Sequence, residues 1–391
     1  MFERDFVRTV AERMDEPRRF IQVLVGPRQT GKTTAVRQAL SRVGKQHLYV
    51  QASIDSASRD WLRSQWQAGR NLAAQAGSAV LVVDEVQIVD AWSAVVKELW
   101  DEDSWNGVEL SVVLAGPSTL LIRSGLAEAL TGRYEVVRCT HWSFAECEEA
   151  FGYDLDGYLL HGGYPGGAAL LPDEQRWLDY MNDAVIEPSI ARDVIALDNV
   201  RKPALMRRLF YLGAPCSAQE ISLRKLMGQL DDAGNATTIA RYLDLLGQAG
   251  LVRALQKYDP KEIRSRASSP RLLAYDTGLM SATFGRYRDN LLDDPALRGR
   301  LVETAVGAHL LARSQIEHFD LFWWRDGNDE VDFVAAQGDD VVAIEVESGR
   351  VKGLGGLAAF QNRFPAAHTL VVGSASCPLN EFLRGKVRIF A

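Results

Sequence analysis

The sequence predicts an α/β chain: a P-loop-type parallel-sheet domain, a helical connector and two smaller C-terminal domains. Three observations carry that reading. An apolar run at 20–25 leads into Gly26-Pro27-Arg28-Gln29-Thr30-Gly31-Lys32-Thr33, and a helix-spaced segment follows at 34–40. Ala79-Val80-Leu81-Val82-Val83 is an uninterrupted apolar run that ends in Asp84-Glu85, as suits a central strand buried on both faces. Strand-like and helix-like stretches alternate through the first 150 residues, the order that builds a parallel sheet.

The first of these is the strand, glycine-bounded loop and helix start that a phosphate-binding loop requires. Backbone N–H groups of such a loop form an anion-binding nest, with the helix dipole behind it. Gly26 and Gly31 permit backbone geometry that a Cβ would obstruct. Gly26, Pro27, Arg28, Gln29, Thr30, Gly31, Lys32, Thr33 and Thr34 are therefore the expected nucleotide-binding residues. In this reading Lys32 reaches the β- and γ-phosphates and the Thr33 hydroxyl ligates Mg²⁺. The acids of the second stretch stand at the C-terminal end of a strand, where open α/β sheets place ligands. Asp84 would hold the Mg²⁺, and Glu85 would orient and deprotonate the attacking water. ATP and Mg²⁺ are the expected ligands.

At 391 residues the chain is too long for one ordinary domain, and 47% of it is apolar, ample for packed cores. The 4 cysteines (Cys139, Cys147, Cys216 and Cys377) have no CxxC spacing, and the 6 histidines form no HxxxH or HExxH pattern. No zinc site is expected, and free thiols suit a reducing cytoplasm. The N-terminus lacks a basic and apolar leader pattern, and no apolar run reaches the ~20 residues that cross a bilayer. A cytoplasmic protein without a membrane partner is expected. The net charge of −7 argues against a surface that coats nucleic acid throughout.

In chain order, Phe2, Phe6, Val10 and Met14 recur at four-residue steps, which predicts an amphipathic helix over 1–16 that Pro17 ends. A strand is expected at 47–50 and a helix at 61–76, with Trp61 and Trp66 as packing residues. A buried strand at 110–115 leads to Gly116-Pro117-Ser118-Thr119. The hydroxyl of Ser118 or Thr119 would either report the γ-phosphate or cap the next helix, expected at 120–130. Thr131-Gly132-Arg133-Tyr134, a strand at 135–138 and an N-cap at Ser143 follow.

GPRQTGKTT, VLVVDEVQ, LAGPSTLL, LTGRYEV and HWSFAE, in this order, resemble the bacterial and archaeal AAA+-type ATPases fused to a C-terminal domain of unknown function. The resemblance continues through His161-Gly162-Gly163-Tyr164-Pro165, Arg241-Tyr242-Leu243, Asp276-Thr277-Gly278-Leu279 and Glu330-Val331-Asp332-Phe333, so it spans essentially the whole chain. It implies that Arg133 is the arginine that offsets charge on the transferring phosphoryl group, within one subunit or across to a neighbour. The alternative for Arg133 is a surface ion pair.

The expected domains are 1–150 for the ATPase, 151–200 for a helical lid or connector, 201–271 for a basic winged-helix-like domain and 272–391 for a last α/β unit. Gly162-Gly163-Tyr164-Pro165-Gly166-Gly167 would act as a hinge, and 172–197 as a helix broken once, at Pro188. Residues 201–271 hold 13 Lys or Arg against 6 Asp or Glu, a net +7. Helices at 205–212, 217–227 and 237–247, the last capped by Asn235, then a strand at 251–255 and a basic loop, resemble a winged helix-turn-helix. Thr237, Thr238 and Arg241 would then face a DNA major groove, and Arg253, Lys257, Lys261, Arg264 and Arg266 would meet phosphates. The alternative is a winged helix that contacts only protein.

The last unit, with a helix carrying Glu303 and strands carrying Asp332 and Glu345, resembles the restriction-endonuclease-like core. In that family a helix glutamate and two strand carboxylates gather a divalent metal, and a lysine two residues after the last one assists the water. Glu347 stands where the lysine belongs, and a carboxylate there would repel both scissile phosphate and hydroxide. Lys352 could substitute from a shifted position. Glu303, Asp332, Glu345 and Glu347 would form a second metal site as oxygen ligands, or a salt-bridged face without metal. The expected function is an ATP-hydrolysing switch whose nucleotide state repositions the C-terminal half, on duplex DNA or on a protein partner, alone or as a homo-oligomer. The rival is an ATP-gated nuclease.

Overall fold

The computed structural model describes residues 2–55, 57–121, 129–195, 200–230, 234–259, 268–348 and 355–390. The chain divides into two compact units, Met1–Thr140 and His141–Ala391.

The first unit runs α1 (Asp5–Asp15), β1 (Ile21–Gly26), α2 (Lys32–Leu40), β2 (Gln46–Gln51), α3 (Arg59–Ala76), β3 (Ala79–Asp84), α4 (Trp92–Asn106), β4 (Leu110–Pro117) and β5 (Tyr134–Arg138). Its five strands are all parallel, in the order β2-β3-β4-β1-β5. Strand side chains alternate between faces, and the apolar runs of β1, β3 and β4 supply both faces at once. Val23, Val25, Leu81, Val83, Val112 and Leu114 pack with Leu62, Trp66, Trp92 and Val96 of α3 and α4. Leu24, Val80, Val82 and Val113 pack with Val7, Val10 and Met14 of α1 and with Ala35, Val36 and Ala39 of α2. The helix expected over 1–16 begins only at Asp5, so Phe2 precedes it, and of the four-residue series Val10 and Met14 lie fully inside while Phe6 is half-buried. Trp66 is also interior, and its Nε1 donates to the buried Asp103 at 2.8 Å. Most of the helix expected at 120–130 lies outside the described residues.

In the second unit the helices α5 (Phe144–Phe151), α6 (Leu155–His161) and α7 (Glu174–Asp179) come first. Ser143 caps α5 in a capping box with Glu146, as its position predicts. The Gly162–Gly167 stretch is not an open hinge. Gly162 and Gly163 pack against Asp276, which accepts from Gly163 N at 2.6 Å, and a Cβ on Gly162 would lie 1.9 Å from that carboxylate. The expected break at Pro188 is also absent. The helix widens into π-helical turns, Tyr180–Ile186 and Ser189–Ile195, a register that accommodates a residue lacking an N–H without ending the helix.

The chain continues with α8 (Pro203–Gly213), β6 (Gln219–Glu220), α9 (Leu223–Gly228), α10 (Ala236–Gln248), β7 (Val252–Leu255) and β8 (Arg271–Ala274). Three helices thus accompany a three-stranded antiparallel sheet of order β6-β8-β7. The helix expected at 217–227 begins only at Leu223, because the residues before it pair with β8. Ala218 N donates to Leu272 O at 2.7 Å and Ile221 N to Pro270 O at 3.0 Å. Long-range pairing overrides local spacing there. Asn235 caps α10 through Thr238 N, as expected.

The remainder is α11 (Thr277–Ala282), α12 (Pro295–Glu317), β9 (Asp320–Asp326), β10 (Asp329–Gln337), β11 (Asp340–Val346), α13 (Gly355–Arg363), β12 (His368–Val372) and α14 (Leu379–Leu383). Its sheet has the order β12-β11-β10-β9, with β9, β10 and β11 antiparallel and β12 parallel to β11. Among the described residues, no helix is long and apolar enough to cross a membrane.

Candidate nucleotide-binding site

The loop between β1 and α2 sits at the C-terminal ends of the central strands. Gly31 (φ 92°) and Gln29 (φ 60°) both take the left-handed conformation, which turns successive backbone N–H groups inward. Gly26 is required for a different reason, since a Cβ there would come within 2.0 Å of the Cys139 carbonyl oxygen on the neighbouring strand end. Thr30 is fully buried and its hydroxyl donates to Pro27 O at 2.9 Å. Lys32 is buried, with Nζ donating to Gly26 O at 2.8 Å and Pro27 O at 2.6 Å. The ammonium therefore lies folded back on its own loop. Pro27 is buried, Arg28 partly so, and Gln29 and Thr34 are exposed at the loop and helix surface.

The two halves of the site meet at Asp84. Thr33 Oγ1 donates to Asp84 Oδ2 at 2.7 Å, Tyr49 OH donates to the same oxygen at 2.8 Å, and Glu85 N donates to Oδ1 at 2.9 Å. Burial, then the neighbouring Asp84 carboxylate, pushes the Tyr49 phenol up to about 12, so it stays a donor. A hydroxyl and a carboxylate oxygen held this close are the hard donors that Mg²⁺ prefers, and the residues present fit that ion. Glu85 is half-buried at φ 55°, a strained conformation for a residue with a side chain. At the end of β4, Ser118 is partly exposed, whereas Thr119 is buried with an Oγ1 that has no hydrogen-bond partner among the described residues.

Arg133 lies elsewhere. Its backbone carbonyl accepts from Ile21 N at the start of β1, and the loop follows the far end of that six-residue strand. At about 3.3 Å per residue the separation is about 17 Å, so Arg133 does not reach the loop of its own chain. Its side chain forms a two-pronged ion pair with Asp101, at 2.7 and 3.0 Å.

Two residues of the site carried no sequence motif. Tyr49 is one. Arg4 is the other: it is buried, and Nη1 donates to Thr140 O at 2.8 Å and to Thr30 O at 3.4 Å, bracing the loop from below.

In the second unit, Glu303 and Asp332 of the expected site converge with Glu330, but on a guanidinium. Arg271 lies 2.8 Å from Glu330 and 3.0 Å from both Glu303 and Asp332. Asp332 also accepts from Val346 N at 2.9 Å. Glu345 is buried one register step beyond the Phe333–Ile344 pair, while Glu347 is half-exposed at the strand end. Among the described residues no group of three or more His, Cys, Asp or Glu side chains is arranged to hold a metal ion, and Glu303, Glu330 and Asp332 form a salt-bridged cluster around Arg271. The signal for Arg271 was a lone charge opening an apolar run, Arg271-Leu272-Leu273-Ala274.

Of the residues expected on DNA, Thr237 and Arg241 are exposed on α10. The Thr238 hydroxyl is turned back to Asn235 Oδ1 at 3.0 Å. Arg253 Nη1 lies 3.5 Å from Tyr275 OH. Lys257 is half-buried in an extended bridge to Trp323, so it is not part of an open loop. Lys261, Arg264 and Arg266 lie outside the described residues, as does Lys352.

Residues 18–148 match the family described as AAA domain. Residues 152–289 and 298–382 match two domains of unknown function, DUF8612 and DUF4143. The chain is 22% identical over 347 residues to an uncharacterized protein of Haemophilus influenzae, covering 84% of this chain and 82% of the relative. It is 28% identical over 268 residues to an uncharacterized protein of Mycobacterium tuberculosis, covering 68% and 56%. Its fold is similar to that of a Walker-type ATPase of Pyrococcus abyssi, with a TM-score of 0.51 at 12% identity, over 73% of this chain and 96% of that one. Residues 18–148 are thus similar in sequence to the family described as AAA domain, on a parallel α/β fold similar to that of a Walker-type ATPase.

Proposed function

We propose that this protein binds and hydrolyses ATP and uses its nucleotide state to control what the C-terminal unit contacts. The observation that carries the reading is the convergence of Thr33 and Asp84, 2.7 Å apart, beneath a loop whose lysine is folded onto its own carbonyls. Lys32 would exchange Gly26 O and Pro27 O for phosphate oxygens, a bond between two opposite charges in place of one to a neutral carbonyl. Mg²⁺, held by Thr33 and Asp84, would supply charge neutralisation at the β- and γ-phosphates. Glu85 would orient the attacking water and take its proton, and Thr119 would sense the γ-phosphate with its buried hydroxyl. Tyr49 and Arg4 hold Asp84 and the loop in register for this.

Lys32→Ala should lose tight ATP binding in a titration. Glu85→Gln should bind ATP but turn it over about 10²–10⁴ times more slowly. Unchanged affinity in the first variant would sink the nucleotide assignment, and wild-type turnover in the second would move the base elsewhere.

For the C-terminal unit, the helices α8, α9 and α10 with the β6-β8-β7 sheet support a winged-helix reading, with Thr237 and Arg241 on the exposed face of α10 as candidate DNA contacts. The order of α12, β9, β10, β11, α13 and β12 supports a restriction-endonuclease-like core. Duplex DNA is the proposed partner, and a protein partner is the second reading. Cleavage of DNA is not part of the proposal.

A further inference from the structure

A restriction-endonuclease-like core implies a divalent metal between its helix glutamate and strand carboxylates, and the residues of this chain do not fit one. The Arg271 side chain is 3% exposed and sits between α12 and β10, with Nη2 3.0 Å from both Glu303 and Asp332 and Nη1 2.8 Å from Glu330. Burial works against its charge, but Asp332, Glu303 and Glu330 more than offset that, and its pKa lies above the ordinary arginine value. Arg325 adds a second cation on Glu330. Three carboxylates in so small a volume repel one another, and the Arg271 guanidinium supplies the positive charge between them. A divalent ion that needs about six oxygens at about 2.1 Å would have to displace a guanidinium that cannot be deprotonated.

We propose that Arg271 is the resident cation of this carboxylate cluster, occupying permanently the position at which a nuclease of this fold would hold its metal. The inference rests on the nuclease-like reading of the C-terminal unit. It gives the unit a role for the cluster that is mechanical: one guanidinium ties strand β8 to helix α12 and strand β10. Glu347 in place of a lysine then follows, because no metal-bound hydroxide is made for a lysine to assist.

The test counts bound Mn²⁺ by electron paramagnetic resonance on the full chain without nucleotide, for the wild type and for Glu303→Gln. The same count is expected in both, since neither holds metal at Arg271. A site that the wild type possesses and Glu303→Gln loses would overturn the proposal. Arg271→Met should gain one Mn²⁺ site, lost again in Arg271→Met/Glu303→Gln, and should unfold at a higher temperature with Mn²⁺ than without. A folded Arg271→Met with no additional site would also overturn it. If that variant does not fold, the wild-type comparison alone decides. ATP titration of the same samples reports separately on the nucleotide reading, so the two can fail independently.

Discussion

Asp276 is the residue whose environment makes the sharpest solution prediction. It is buried, and its two oxygens accept from Gly163 N at 2.6 Å and Gly278 N at 2.8 Å. Burial pushes its carboxyl up from 3.8 to about 6, against the lowering effect of those backbone donors. The folded state therefore holds the proton more tightly than the unfolded chain. Its contribution to stability is fully present below pH 3.8 and is lost as pH rises through about 6, a swing of about 3 kcal/mol. Urea unfolding of wild type and Asp276→Asn across pH 4–7 should show the wild type's advantage shrinking by about that amount. Parallel curves would mean that the carboxylate is already ionised in the fold at pH 4. The sequence marked this residue only as part of a shared motif, because desolvation by the packed Gly162-Gly163 turn is a tertiary effect.

Among elements, those fixed by local rules were legible and those fixed by pairing were not. The glycine-bounded loop, the apolar β3 run and the Asn235 cap each combine a residue type with a position, and the structure places strand, loop and helix accordingly. The segment at 217–227 has helical spacing, yet β8 claims its first residues as a strand partner. Pro188 obeys a rule that presumes α-helical bonding, and the π-helical register sidesteps it. Glu303 and Asp332 were legible as cluster members, whereas their counter-ion, more than 30 residues before Glu303, was not, and Glu347 stands half-exposed at its strand end. Helix α10 carries the prediction that belongs to this scale. Thr237 and Arg241 are exposed one turn apart, so the proposed duplex contact would involve both, while the Thr238 hydroxyl is committed to the cap. Arg241→Ala should change the preference among duplex sequences, whereas Thr238→Val should act mainly on stability. Equal loss of binding across all sequences in Arg241→Ala would make it a phosphate contact instead.

For the molecule as a whole, the position of Arg133 bears on the expectation that the chain acts alone or as a homo-oligomer. About 17 Å of strand separates it from its own loop, so any role in phosphoryl transfer must be played on a neighbouring subunit. Its pairing with Asp101 is half-exposed, and an exposed ion pair of this kind costs little to break, about 0–1 kcal/mol. On the same helix as Asp101 and one turn further on, Trp105 is 89% exposed, a side chain whose large apolar area is a common anchor of protein interfaces. Turnover per chain should therefore rise with protein concentration, and Trp105→Glu should abolish that rise. Mixing Arg133→Ala with Lys32→Ala should restore activity that neither variant has alone: one supplies an intact loop, the other an intact arginine. Turnover that is flat in concentration, with no rescue on mixing, would leave Arg133 as a surface ion pair and the ATPase as a self-sufficient single chain.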